Sequence, residues 1–480
     1  MNNRIISIRK GRNMYRKEIE AYIEAHKAEM VEDIFTLCRI NSEKMPYKEG
    51  MPYGEGAYAA LNQAMAMAER YGFSVTNYDN YVGTVDLNDK PRQLDILAHL
   101  DVVPAGEGWT VTEPFEPILL DGKLYGRGTA DDKGPAVAAL YALRCVKELG
   151  IPLSKNVRLI LGTDEECGSS DIEHYYDDEE EAPMTFSPDG AYPVVNIEKG
   201  SMRGDFTAEW EEDTALPRIC SVEAGVKVNV VPSKAVAVLE GLDLETVMEL
   251  TRKMEEEIGI EFDIQDEHGK ITLIAAGKNA HASTPEEGNN ALTGMLMLLN
   301  RLPVKPSAMT QKIQSLLKLM PHGDTRGKAL GIAMEDELSG DLTLAFSMLT
   351  ITPTGLQGMF DSRCPICSNE ENTLNVVKQK MEAEGFTFLT DSMNPPHHVS
   401  GDSEFVKTLL RVYEEYTGRE GKCESMGGGT YVHHLKNGVA FGAAMPETDN
   451  KMHGPDEFAV LDELTVSAKI FAQVIVDLCK

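Results

Sequence analysis

The chain contains no apolar run approaching the roughly 20 residues that a membrane-spanning helix needs, which argues against a helical membrane protein. Its basic amino-terminal stretch, up to Met14, lacks the apolar core of a secretory signal, so no export leader is expected. Positive charge is in deficit: 46 Lys and Arg face 77 Asp and Glu, a formal charge of −31. Such acidity disfavours nucleic-acid and anionic-membrane partners and favours solubility. Eight cysteines spread over 480 residues form no small-domain framework, so reduced thiols in a cytoplasm are expected. Cys364-Pro365-Ile366-Cys367 has a redox spacing but no thioredoxin-like surroundings, and both cysteines read as packing residues. No repeat and no low-complexity linker interrupts the chain. Its length exceeds one ordinary core and implies two domains.

What the sequence does have is acid and imidazole at the ends of short apolar runs. Val157 to Thr163 reads as a buried strand with Gly162 at its exit, and it delivers Asp164-Glu165-Glu166. Consecutive carboxylates repel one another, and a cation beside them relieves that repulsion. Leu94 to Ala98 is a second such run and delivers His99-Leu100-Asp101. Thr185 to Pro188 delivers Asp189, and Gly438 to Ala443 leads to a loop carrying His453. In open α/β sheets chemistry gathers beyond the carboxyl ends of strands. Imidazole and carboxylate are ligand types that Zn²⁺ and Mn²⁺ accept. The glycines around Asp131-Asp132 predict a tight turn that pushes Asp131 forward, with Pro135 at the first position of a helix running to Gly150. Asp177 to Glu181 reads as a solvated loop. Met14 followed by Ile19, Ile23, Met30, Ile34 and Leu37 marks an amphipathic start of structure.

These motifs, in this order, resemble the M20 family of cocatalytic metallopeptidases, most of all its PepV branch of carnosine-dipeptidase-like bacterial enzymes. The likeness rests on Ala98-His99-Leu100-Asp101 through Gly106 with Trp109, Tyr125 to Gly128, and Lys133-Gly134-Pro135. It continues in Gly162 to Glu166, Pro188-Asp189, Ala280 to Pro285, and Met452 to Glu457, covering the chain from about residue 15 onward.

The resemblance implies two divalent metals bridged by Asp131, one also held by His99 and Asp189, the other by Glu166 and His453. Zn²⁺ is the first expectation, with Mn²⁺ and Co²⁺ as alternatives. Asp101 would fix the tautomer of His99, Glu165 would be the general base, and Asp132 would be structural. The fold implied is a two-domain α/β metallopeptidase: a mixed-sheet catalytic domain, residues 1–198 and 396–480, with a ferredoxin-like α+β lid inserted at 199–395. In that lid Lys227–Val231, Ile271–Ile274 and Leu342–Ser347 read as strands, and Leu244–Ile258 and Asn290–Leu302 as helices. Its His281 would stabilise the oxyanion, while Asn229 and Arg363 would hold a terminal carboxylate, a task suited to the planar guanidinium. Gly428 and Gly429 would present backbone donors. Many relatives carry an arginine just after this glycine stretch; here Val432-His433-His434 stands instead.

The function implied is a monomeric cytoplasmic dipeptidase acting on small peptides. An N-acyl-amino-acid or acyl-diamine amidohydrolase on the same metal centre is the rival enzyme, and a non-catalytic binding protein the rival class.

Overall fold

A computed structural model describes residues 15–480 except His268. Met14 and the basic stretch before it lie outside the described residues. The described residues divide into two compact units, the second drawn from Glu198–His397 with Met426–Gly428 and the first from the other described residues.

The first unit is built on a mixed sheet. Arg92–His99 lies parallel to Asn156–Gly162 on one side and to Met184–Ser187 on the other, and Gly438–Ala440 continues the parallel set. Val82–Asp86 pairs antiparallel with Asn156–Gly162, and Ser74–Tyr78 completes that edge. Strand Asn156–Gly162 is buried nearly throughout, as expected where helices cover both faces. Helices Arg16–Cys38, Lys133–Glu148, Glu404–Thr417 and Leu461–Cys479 share one apolar core with these strands. The expected positions Ile19, Ile23, Met30, Ile34 and Leu37 all face that core.

Two local expectations need correction. Helix Lys133–Glu148 starts before Pro135 and ends before Gly150. Proline is tolerated there because first-turn amides have no intrahelical acceptor to lose. The acidic run is not all solvated loop: Asp177 and Asp178 end helix Ser170–Asp178, and Glu179 pairs with Arg92 and Arg158.

The second unit carries an eight-stranded sheet in the order Glu261–Glu267, Lys270–Ala276, Lys234–Glu240, Arg218–Ala224, Thr343–Thr352, Gly355–Cys364, Gly200–Glu209, Thr387–Phe388. Its pairs are antiparallel. Burial alternates along Gly200–Glu209 and Lys234–Glu240, the signature of a sheet with one packed face. Helices Leu244–Ile258 and Ala291–Arg301 cover it, each capped by the side chain before it, Asp243 and Asn290. The run Lys227–Val231 is mostly turn; only Val230–Val231 pairs, with Ala280–His281. Cys364 packs in this unit's core, whereas Cys367 is exposed and so is not the packing residue its spacing implied.

Candidate metal centre

The parallel strands bring their carboxyl ends together. His99 is the last residue of its strand and stands opposite Gly162. Beyond Gly162 the chain passes Asp164 and makes one short turn, Glu165–Cys167. Met184–Ser187 delivers Asp189. His453 sits in the left-handed region at φ +61, a conformation that costs an ordinary residue energy and marks a constrained loop.

Asp131 lies between two imidazoles. Its Oδ1 is 2.9 Å from His99 Nε2 and its Oδ2 is 2.8 Å from His453 Nε2. Asp189 Oδ2 is 3.7 Å from His99 Nε2, and Glu166 Oε1 is 3.2 Å from His453 Nε2. Donor atoms of His99, Glu165 and Asp189 lie within 4.8 Å of one another, as do those of His99, Asp131 and Glu166. His99 Nε2 and Glu166 Oε1 are buried, and the groups they face are other members of this cluster, Asp131 and His453. Such atoms are expensive unless something cationic satisfies them. Nitrogen and oxygen donors of this kind fit divalent zinc or manganese.

The local field agrees. Burial, with Asp189, Glu166 and Asp131 nearby, pushes Glu165 well above the ordinary carboxylate range. Burial and Asp131 raise Asp189 to about 7. Burial and then Asp131 raise Glu166 against the hydrogen bond of His453. For Asp131 burial is outweighed by hydrogen bonds from His453 and His99, which hold it below its usual value. His453 rises to about 10 through its bonds to Asp131 and Glu166. Burial opposes charge on His99, but Asp101 and Asp131 win and hold it well above ordinary histidine. Buried acids crowded in this way are pushed toward their neutral forms, a repulsion that a divalent cation between them would relieve.

Asp101 divides its duties differently from the expectation. Its main-chain oxygen is 3.1 Å from His99 Nδ1, closer than its carboxylate oxygen at 3.4 Å. The carboxylate accepts the amides of Glu165 at 3.2 Å and Glu166 at 3.1 Å. Asp132, expected to be structural, is buried and accepts the amide of His99 at 3.1 Å.

The sequence reading missed several supports. Buried Glu457 accepts the amides of Gly128, Ala130 and Asp131 and pairs with Arg127, so it shapes the turn carrying Asp131. Its place at the end of the His453-Gly-Pro-Asp-Glu motif was the available signal. Asp456 likewise accepts the amides of Thr110 and Val111. Lys44 reaches Asp164 at 2.6 Å, and nothing in its local sequence announces that.

The remaining expected residues belong to the second unit, with Gly429 in the first. His281 Nδ1 accepts the amide of Ser283 at 3.2 Å, which puts the ring proton on Nε2. The backbone oxygen of Asn229 accepts from Ala282, so both expected residues ride on one small ribbon. Arg363 grips Asp361 at 2.7 and 3.0 Å and donates to Gly427 O at 2.7 Å. Three of its donors are thus engaged, and the planar group is held in one orientation. Gly428 follows Gly427 directly.

Residues 96–477 match the family model described as Peptidase family M20/M25/M40. The chain is 35% identical over 466 residues to the putative dipeptidase YtjP of Bacillus subtilis, covering 96% of this chain and 99% of that protein. It is 35% identical over 464 residues to the Beta-Ala-Xaa dipeptidase of Lactobacillus delbrueckii subsp. lactis, covering 95% and 97%. Among solved structures, human carnosine dipeptidase 1 shares the fold at a TM-score of 0.59 and 16% identity, over 97% of this chain and 98% of that one. With strand-end acids and imidazoles converging as they do, and with relatives of this similarity along nearly the whole length, the chain belongs to the M20/M25/M40 family of peptidases.

Proposed function

We propose that this peptidase is a metal-dependent dipeptidase that hydrolyses the bond of free dipeptides in the cytoplasm, as a monomer. The observation that carries the reading is the Asp131 carboxylate set between His99 and His453, with Glu165 and Glu166 beside it. The relatives' names, putative dipeptidase and Beta-Ala-Xaa dipeptidase, support the substrate class. All eight cysteines are free, in keeping with a reducing compartment.

In this reading His99, Asp131 and Asp189 hold one divalent ion and Asp131, Glu166 and His453 the other, with zinc the first candidate. Such ions supply Lewis acidity and lower the pKa of water from about 15.7 towards 7. Glu165, half-buried and avid for protons, takes one from the attacking water and passes it to the leaving amine. Asp101 keeps the two glutamate amides in place. His281, with its proton on Nε2, donates to the scissile oxygen as charge develops there. Asn229, Arg363 and the amides of Gly428 and Gly429 receive the terminal carboxylate of the substrate.

The test is a panel of free dipeptides, dipeptide amides, longer peptides and N-acyl-amino acids, assayed with Zn²⁺, Mn²⁺ and Co²⁺. Free dipeptides should be cleaved far better than their amides, and Arg363→Ala should narrow that gap. Equal rates on blocked and free carboxyl termini, or a strong preference for acyl-amino acids, would reject the dipeptidase assignment.

A further inference from the structure

Four consecutive amides, Thr163 to Glu166, carry the chain from its strand to the glutamate pair, and two buried carboxylates hold all four. Asp101 takes the second two, as described. Asp171 takes the first two on a single oxygen: its Oδ2 accepts from Thr163 N at 2.5 Å and Asp164 N at 3.0 Å. The same oxygen accepts the hydroxyl of Tyr431 at 2.5 Å. Asp171 and Tyr431 are both buried. The Tyr431 ring stands edge-on to His99, with centroids 6.2 Å apart and planes at 87°. Gly162 makes the approach possible, because a β-carbon there would lie 2.1 Å from the tyrosine oxygen and 2.6 Å from Asp171 Oδ2. Tyr431 follows directly on Gly427-Gly428-Gly429-Thr430.

We propose that Asp171 and Tyr431 are positioning residues that fix Glu165 by clamping the backbone that leads into it. The clamp touches neither substrate nor metal and acts through the strand exit. It rests on the reading of Glu165 as the general base. A misplacement of the base by a fraction of an ångström is enough to slow proton transfer, since a displacement of about 1 Å costs on the order of 10²-fold.

Tyr431→Phe in the metal-loaded full chain removes one hydroxyl and keeps the ring against His99. It should lower kcat on a free dipeptide about 5- to 50-fold, with KM within twofold and bound metal unchanged. Hydrogen–deuterium exchange of peptides covering residues 160–168 should speed up. In a Glu165→Gln background the same change should alter kcat less than twofold, because its route to the chemistry is already cut. Asp171→Asn, of the same shape, provides the second variant and should behave alike. Unchanged exchange, a loss of metal that accounts for the lost activity, or a penalty carried in full into the Glu165→Gln background would overturn the clamp. Full turnover by Glu165→Gln alone would reject the base assignment instead. The exchange measurement would then decide the clamp by itself, faster exchange supporting it and unchanged exchange refuting it.

Discussion

The two units bury different things. The first encloses His99, Asp101, Arg127, Asp131, Asp132, Lys133, Asp164, Asp171 and Glu457, all nearly without exposure. In the second, among the described residues, the buried charges are Glu198 at its boundary and Asp361, which Arg363 holds. Removing a charge from water costs several kcal/mol even after relaxation. A core that holds no ion avoids that cost, and the second unit does so by alternating apolar and polar residues along antiparallel strands. The first unit accepts the cost where its strand exits converge, and each buried acid there has a backbone amide, a cation or a neighbouring ligand to face. Charge burial marks the unit that carries the candidate metal ligands, more sharply than sequence motif alone.

The strongest challenge to that contrast is to empty the centre. Chelation should abolish hydrolysis and added divalent metal should restore it, whereas full turnover by exhaustively metal-free protein would remove the reason for the buried acids. Next comes the division of labour between neighbours. Glu165→Gln should keep its metal and lose roughly 10²–10⁴ in kcat, while Glu166→Gln should lose metal affinity; both are read by metal analysis beside turnover at saturating metal.

A third comparison sets a buried ion pair against an exposed one. Arg127→Met leaves Glu457 buried without its cation, and should cost about 3–5 kcal/mol in denaturant unfolding, the range for a broken buried pair. Arg301→Ala cuts an exposed pair with Glu257 in the second unit and should leave the melting temperature unchanged. Equal shifts from the two would erase the distinction.

The last comparison concerns Asp95, buried in the first unit with Arg92 Nε 3.7 Å from its Oδ1. Burial, against the pull of Arg92 and Arg158, raises it from 3.8 to about 7. Between those values the folded state holds a proton that the unfolded chain lacks, so the group weakens the fold as pH rises and its full cost is reached above 7. Asp95→Asn should therefore stabilise more at pH 8 than at pH 6, by about 1–2 kcal/mol at about 1.4 kcal/mol per pH unit. A gain independent of pH would show that its charge is not the burden.

Much of this was legible because strand-end chemistry leaves local traces. Gly162 before Asp164-Glu165-Glu166, and Ala98 before His99, gave both the strand and the residue it delivers. Helix Leu244–Ile258 falls where it was expected, and Asp243 accepts from Thr246 at its start. What escaped were contacts that depend on distant segments meeting. Asp171 looks like an ordinary acid in a first helical turn, and only the folded chain turns its oxygen back onto Thr163 and across to Tyr431, 260 residues away. Lys44 meets Asp164 over a separation of 120 residues. Asp101 also does more than was expected of it, since its carboxylate meets the amides of Glu165 and Glu166, another contact between distant segments.

One feature of the centre reaches beyond catalysis. Its donors come from chain segments as far apart as His99 and His453, joined at Asp131. Bound ions at that point would act as a staple closing a loop of most of the molecule, a constraint that the unfolded chain cannot share. By mass action, free metal at a thousand times its dissociation constant adds about 4.1 kcal/mol of stability at a single site. The catalytic ions would then also be guardians of the fold, and a cell short of them would lose the protein itself along with its activity.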